Sequence, residues 1–417
     1  LLVNFIGILG FSIIVPILVF IVTDFGGNGF VYGILGAVYP FFQFIGSPIL
    51  GKFSDRVGRK KVLVLSQIGT FICWTLFLLA FALPKITLWG QDTAFTGSYQ
   101  MTIPLLLLFI ARTLDGFTGG NISVAHAYVA DVSTSRTRED NFGKMGASTS
   151  LGFVAGPAVA GVLAATALGN ILPVIVAALV SFSAIFIIQA RLRESVDSPA
   201  EVPLLSKKGM KLWLQGDQEE RQQKDRPSWK SMFQMKFVPS LFAIYFFTFL
   251  GFSVFYSGWP VYTSQVLGWN AGKLGGFMAY FSIVMAVVQG PVRGWLSKRI
   301  KTYWLVLAGT GILGLGFPFL TSEWFPLLLV GVTIMAMGNG IMWPSLLSLL
   351  SQIGDKKKQG AVQGYGSSMG SFGSIVGLML GGLLVELIGG SIFLIASGII
   401  LAMLLPVWRV RKVGRRN

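Results

Sequence analysis

The chain is a succession of long apolar runs separated by short polar breaks, and the pattern holds for nearly its whole length. Runs of about 20 residues with few charges are long enough to cross the hydrocarbon of a bilayer as helices. Twelve spans are predicted, at about 1–22, 30–51, 62–83, 102–130, 142–167, 170–190, 237–258, 271–297, 303–320, 326–350, 360–388 and 391–408. Span 1 leaves at Thr23-Asp24-Phe25-Gly26-Gly27-Asn28, and a polar loop over 84–100 joins spans 3 and 4. Between spans 6 and 7 the pattern changes. Residues 191–236 are charged and interrupted by Pro199, Pro203 and Pro227, too hydrophilic to span and too long for a tight turn. They read as a cytoplasmic linker with a short surface helix around 204–214. The expected organisation is an N-terminal six-helix half (1–190), the linker (191–236), a C-terminal six-helix half (237–408) and a basic tail (409–417).

Composition sharpens this picture. Hydrophobic residues make up 53% of the 417 and charged residues 12%, with a mean hydropathy of +0.70. A soluble domain carries about 25% charged residues, so the class is an all-α integral membrane protein. A net charge of +16 would point to nucleic acid in a soluble chain. Here its placement speaks for topology. Of 33 Lys and Arg, only Lys85 and Lys273 fall in loops assigned to the outer side, Arg112 lies within a span, and the rest sit in or beside loops on the opposite side. Short cytoplasmic loops collect positive charge, so both termini are expected in the cytoplasm and no nucleic-acid partner is implied. A lone Cys73 leaves no disulfide framework, and a lone His126 no multi-histidine site, so no metal or other cofactor is expected. No cleavable signal peptide is visible, and with Leu1 in first place a short N-terminal segment is expected to precede it.

Spans 2 and 3 are joined by Gly51-Lys52-Phe53-Ser54-Asp55-Arg56-Val57-Gly58-Arg59-Lys60-Lys61, five basic residues and one acid in eleven positions. Topology alone accounts for Lys52, Lys60 and Lys61. Gly51 and Gly58 allow tight backbone geometry, and Asp55 can cap a helix start or pair with arginine. A shift of 243 residues lays Pro48, Gly51, Ser54 and Arg56 on Pro291, Gly294, Ser297 and Arg299, with Asp55 on Lys298. The halves repeat, and the second copy is degenerate. The spacing G-x-x-S-D-R-x-G-R-K-K resembles the loop between helices 2 and 3 of major facilitator superfamily transporters, whose two halves are parallel six-helix repeats. That resemblance implies the major facilitator fold: twelve transmembrane helices in two six-helix pseudo-symmetric halves. It also implies a cytoplasmic gate built from Gly51, Asp55, Arg56, Gly58 and Arg59, with Asp131 as local partner.

Span 4 carries Arg112 and Asp115, three apart and therefore on one helical face, which Gly119 and His126 continue at +7 and +14. A charge at the bilayer centre costs about 2.5–3.5 kcal/mol on insertion scales, so such groups pair or face a cavity. Two readings stand: the pair merely neutralises itself, or it lines a central cavity and couples to protons or substrate. The second has a tension, because a nearby guanidinium favours the ionised carboxylate and burial the neutral one. His126 has a suitable ordinary pKa but falls toward the cytoplasmic end. Arg112 matches the helix 4 arginine of the superfamily (R-x-x-x-G), whereas Asp115 is this chain's own acid.

Span 5 contains Gly143, Gly152, Gly156, Pro157, Ala160 and Gly161. Small residues at these spacings let helices approach closely, and Pro157 bends the helix. The whole pattern resembles the antiporter motif of drug:proton antiporters, with Ala160 in place of one glycine. The stretches 115–119, 127–131 and 142–143, and Gly360-Ala361-Val362-Gln363-Gly364, narrow the resemblance to the twelve-helix, tetracycline-exporter-like members. Those exporters carry an acid in helix 1, where this chain has Gly7, and some a histidine in helix 8, where it has Met285. Asn4, Gln43, Gln289, Asn339 and Gln363, with Tyr245, Tyr280, Trp343 and Tyr365, are candidates for a substrate cavity, each equally explained by helix–helix packing.

The resemblance implies proton-coupled efflux of a hydrophobic or amphipathic small molecule by alternating access, in a multi-pass protein of a prokaryotic inner membrane, working as a monomer among lipids. A lipid or lysolipid flippase, a proton-coupled importer and a non-transporting receptor are the alternatives. One Cys and one His leave little from which to build an intramembrane enzyme.

Overall fold

The computed structural model describes residues 2–134, 137–195, 233–235, 237–350 and 359–410. The linker helix expected at 204–214, Lys356 to Lys358 and the basic tail from 411 lie outside them. Helices dominate because every apolar run must satisfy its own backbone hydrogen bonds where no water is available. In order they are α1 (Leu2–Asp24), α2 (Gly29–Val57), α3 (Arg59–Ala82), α4 (Ile103–Thr118), α5 (Asn121–Asp131), α6 (Arg138–Ala164) and α7 (Ile171–Arg191). Then come α8 (Val238–Gln265), α9 (Ala271–Val287), α10 (Arg293–Leu296), α11 (Thr302–Gly316), α12 (Phe325–Leu350), α13 (Gln359–Ile388), α14 (Ile392–Ala402) and α15 (Leu404–Val410).

Among the described residues, eleven stretches are long and apolar enough to cross a membrane, the last being Tyr365–Val410 with 46 residues. At 1.5 Å per residue that is about 69 Å, more than twice a hydrocarbon core of ~30 Å. The 3₁₀ turn Gly389–Ser391 divides it into two crossings, consistent with twelve. Outward side chains such as Leu151, Val162, Leu179 and Leu315 are exposed. On a soluble protein such a surface would aggregate; here it faces lipid.

Four departures from the sequence expectation have local causes. The basic motif is not a loop: α2 runs through it to Val57 and α3 starts at Arg59. Gly58 alone turns the chain, at φ 106°, a conformation that side chains rarely adopt. The expected fourth span breaks at Gly119-Gly120 into α4 and α5. The eighth is interrupted by a π-helical turn, Val288–Val292, around Pro291, which lacks the N–H a regular turn requires, before α10 completes it. Finally, the polar loop of 84–100 contains a β-hairpin, β1 (Thr87–Thr93) with β2 (Gly97–Thr102).

The described residues cluster into two compact units. One takes those within Leu1–Gly26, Val38–Gly90 and Gln100–Asp225, and the other those within Gly27–Ala37, Gln91–Tyr99 and Arg226–Asn417. In the first, α1 packs on α6 and α7, and α3 on α4, α5 and α7. A Cβ at Gly156 of α6 would run into the Ser12 side chain and sit 2.8 Å from the Ser12 backbone of α1. The small residue is what lets these helices meet, and Ser12 Oγ donates to the Gly152 carbonyl at 2.8 Å across the contact.

In the second unit α8 packs along α13 and α11 along α12. Gly366, Gly370, Gly373, Gly377 and Gly381 present one face of α13 to α8. This explains the glycine-rich run of span 11 as a packing surface. Trp259 centres an aromatic core, with ring centroids of Phe277 at 4.9 Å, Phe393 at 5.5 Å and Trp269 at 5.8 Å. At one end of this unit Glu386 accepts from the Gly29 N–H at 2.7 Å and from Gln265 at 2.9 Å.

Candidate functional site

A cavity of about 900 Å³ lies within the first unit. It extends from Leu2, Asn141 and Arg191, where α1 and α6 begin and α7 ends, to Phe11, Trp74 and Phe153 midway along the helices. One face of α3 lines it: Leu63, Gln67, Thr70 and Trp74, spaced four, three and four apart as helical geometry requires. Asp115 is the only acid on its wall among the described residues.

Arg112 and Asp115 are each about 5% exposed at the side chain, with Nη1 3.6 Å from Oδ2. At that distance the pair is an ion contact without a hydrogen bond. Arg112 Nε and Nη1 have no protein hydrogen-bond partner among the described residues. Its guanidinium lies over the rings of Tyr39 and Phe11, at 5.3 and 5.9 Å from their centroids. Such cation–π contacts partly replace the lost hydration. Asp115 is on the cavity wall and Arg112 is not. From α3, Thr70 stands beside Asp115 on the same wall.

Other expected residues are distributed unevenly. Gln43 lines the cavity and donates to Tyr39 Oη and to the Gly119 carbonyl, both at 3.1 Å. Asn4 lines it too, but its amide is engaged with Met145 O, Ser148 Oγ and Thr149 Oγ1 of α6. His126 is not on the wall: it is exposed and meets Phe142 edge-on at 5.9 Å. The break at Gly119-Gly120 ends the shared face before reaching it.

The remaining candidates fall in the second unit. Asn339 donates to Met285 Sδ at 3.0 Å, Tyr280 pairs with Thr333 at 2.8 Å, and Gln289 sits in the π turn. Tyr245 stacks on Phe249, which meets Trp343 edge-on. Tyr365 lies half-buried on α13, and the side chain of Gln363 is outside what is described.

The junction of α2 and α3 forms a second cluster in the first unit. Arg59 is 9% exposed. Its guanidinium contacts Asp55, Asp131 Oδ2 at 3.1 Å and Ser54 Oγ at 2.6 Å. Its backbone N–H donates to Glu194 Oε1 at 2.7 Å, as does the Lys60 N–H to Oε2 at 3.2 Å. Gly58, at the N-cap, has no side chain to satisfy the first N–H groups of α3, and Glu194 does so from beyond α7. Ser195 donates to Asp131 at 3.0 Å and closes the ring. Beneath it pack Leu50, Phe53, Val57, Val62, Leu63, Val124 and Ile188. Gly51 and Arg56 lie on the last turns of α2. In the repeated motif, Arg299, the counterpart of Arg56, stacks over Trp295 at 4.3 Å, and Thr302 stands where the first copy has Arg59.

The antiporter-like residues all fall on α6. Gly152, Gly156, Pro157, Ala160 and Gly161 are buried, and Gly143 lies near the start of the helix. The sequence reading missed Gln67, Thr70 and Trp74, whose helical spacing was the available signal. It also missed Glu194, for which local sequence offers none.

Comparison with known proteins agrees with this architecture. The family model of the major facilitator superfamily matches residues 1–302 and 241–416. The chain is 27% identical over 383 residues to tetracycline resistance protein, class C, of Escherichia coli, covering 89% of this chain and 85% of the relative. It is 26% identical over 420 residues to multidrug resistance protein 2 of Bacillus subtilis (strain 168), covering 98% and 94%. The crystal structure of a D-xylose–proton symporter shares the fold at a TM-score of 0.72 and 14% identity, over 98% of this chain and 96% of that one. A membrane-spanning helical chain with a repeated six-helix plan, matched by the family model along nearly all its length, belongs to the major facilitator superfamily.

Proposed function

We propose that this chain is a secondary active transporter exporting a hydrophobic or amphipathic small molecule in exchange for protons, across a prokaryotic inner membrane with both termini cytoplasmic. The observation that carries the reading is Asp115, a buried carboxylate on the wall of a cavity lined mostly by aliphatic, aromatic and amide side chains. Nothing lies within 4 Å of where a Cβ would stand at Gly7, so the wall has room for the helix 1 acid of tetracycline exporters, yet the chain does not supply it. Asp115 is then the group left to exchange a proton. Arg112 alongside keeps the site neutral when Asp115 is ionised, which is how a charge survives at membrane depth. The names of the similar proteins, tetracycline and multidrug resistance proteins, support the substrate class and direction. The Arg59 cluster fits a gate whose carboxylates and helix end come apart as the cytoplasmic side opens, the rocking of repeats that alternating access requires.

The test is proton flux into proteoliposomes under an imposed pH gradient, with a panel of lipophilic drugs, for the native chain and Asp115→Asn. Drug-dependent flux that vanishes in Asp115→Asn is expected. Flux surviving the substitution removes Asp115 as the carrier, and no drug-dependent flux in a folded native sample removes the export reading.

A further inference from the structure

Where α10 turns into α11, the second unit gathers positive charge that no carboxylate balances. Lys298, Arg299 and Lys301 are exposed there, and Arg409 is exposed on α15. The end of α15 lies beside the start of α11, with the Tyr303 and Trp408 rings 6.5 Å apart. None of the four cations forms an ion pair among the described residues. The described carboxylates of this unit are Asp92, Glu323 and Glu386. All three sit at the opposite end. Glu323 follows the far end of α11, where Tyr262 donates to the Thr321 carbonyl at 3.4 Å. Glu386 binds Gln265, one turn along α8 from Tyr262, and Gly97 of the β-hairpin that holds Asp92 lies beside it.

Topology accounts for basic residues in a loop, but a topological charge can stay in water. These are held at headgroup depth. The Arg299 guanidinium lies on Trp295, and Trp295, Trp304 and Trp408 are 54%, 54% and 48% exposed, the amphipathic rings that settle at a membrane interface. From Trp304 the outward face of α11 runs through Ala308 and Gly311 to Leu315, spaced four, three and four apart. Trp304 and Leu315 project, while a Cβ at Gly311 would meet nothing within 4 Å, which leaves a shallow apolar channel between them. At 1.5 Å per residue the stripe is about 16 Å long, half of a ~30 Å hydrocarbon core and so one leaflet deep. Unpaired cations at the head of such a stripe fit a phosphate with an acyl chain attached. We infer that this corner is a binding site for an anionic membrane phospholipid. Lys298, Arg299 and Lys301 hold its phosphate, and one chain lies along α11 from Trp304 to Leu315. The inference is independent of export and takes from the proposed topology only that the leaflet is the cytoplasmic one.

The experiment is native mass spectrometry of the purified, delipidated full chain with added dioleoylphosphatidylglycerol or dioleoylphosphatidylcholine, which share chains and differ in headgroup charge. The native chain is expected to retain one phosphatidylglycerol with roughly tenfold the affinity of phosphatidylcholine, since each basic side chain near the surface favours an anionic lipid. The triple variant Lys298→Gln/Arg299→Gln/Lys301→Gln should bring the two lipids within about twofold of each other. A control, Lys85→Gln/Lys144→Gln/Lys273→Gln, removes the same total charge from cations engaged by Asp24, Asp140 and Trp269, and should keep the preference. Equal loss in both triples reduces the effect to overall charge and overturns the site, as does a preference that survives in the first. Equal retention of the two lipids by the native chain overturns it whether or not the variants fold. Soluble glycerophosphoglycerol, which has the headgroup without chains, should fail to displace the bound lipid at matched concentration. Displacement would make the ligand a free phosphate ester and remove the lipid from the site.

Discussion

The two units follow one six-helix plan but spend polarity differently. Among the described residues, the buried charged side chains are Arg59, Arg112 and Asp115, all in the first unit. The buried polar groups of the second are Asn28 and hydroxyls such as Thr248, Ser253, Ser257, Thr310 and Ser397. Hydroxyls can return their hydrogen bond to the preceding turn of their own helix, as Thr248 and Thr310 do to the residues four earlier at 2.7 Å. They cost little and fix little. Charges must find partners or a cavity, so the first unit is built around ion pairs and a cavity, and the second around Trp259 and its aromatic neighbours. The repeated basic motif shows the same split: Arg59 holds carboxylates, while Thr302 stands at the equivalent place in the second copy. A duplicated architecture can therefore keep its packing in both copies and its chemistry in one.

The sharpest way to break this contrast is to neutralise one carboxylate in each unit. Asp115→Asn is expected to abolish drug-dependent proton flux, while Glu386→Gln, whose carboxylate caps the start of α2, keeps it. Loss of coupling in Glu386→Gln with Asp115→Asn intact would reverse the assignment of chemistry to the first unit.

Next in size is Arg112→Leu. It strands a buried carboxylate, an imbalance worth about 3–5 kcal/mol, and should lower the apparent melting temperature in detergent strongly. The double variant Arg112→Leu/Asp115→Leu should recover much of that loss. If the single variant melts like the native chain, the pair is not the balanced buried charge described here.

A smaller effect tests the α1–α6 contact. Gly156→Ala forces a methyl into the Ser12 backbone and should cost roughly 1–3 kcal/mol. Gly146→Ala, on the same helix with nothing within 4 Å, should be neutral. Equal melting of the two would mean that α6 does not meet α1 through its antiporter-like face.

Smallest is the cap on α3. Glu194→Ala removes the acceptor of two helix-start N–H groups and should cost about 0.5–2 kcal/mol, the range for losing an N-cap. Gly294→Ala, in the degenerate copy of the motif, meets open space and should change nothing measurable. A Glu194→Ala chain as stable as native would remove Glu194 from the junction.

Much of this protein was legible in its sequence. Apolar run length and placement of Lys and Arg are one-dimensional signals, because each helix satisfies its own backbone and each loop carries its own charge. They gave the spans, whose boundaries among the described residues mostly fall within a few residues of the observed helices. The Arg112–Asp115 pair was equally visible, since spacing of three on a helix fixes proximity without any fold. What periodicity could not give depends on which faces meet. That Arg59 reaches Asp131 was readable only by resemblance, and that Glu194 caps α3 required α7 to end beside it. The break at Gly119-Gly120 removed His126 from the cavity face although a continuous helix would have kept it there. The strip Leu63, Gln67, Thr70 and Trp74 is a helical repeat in the sequence, but nothing local says that it faces a cavity and not lipid, because both surroundings accept apolar neighbours. The chain alone determined that it crosses the membrane, where it crosses, and which charges must be buried. Tertiary packing decided which buried groups share one space, because the direction a helix face points is set by its neighbours and not by its own sequence.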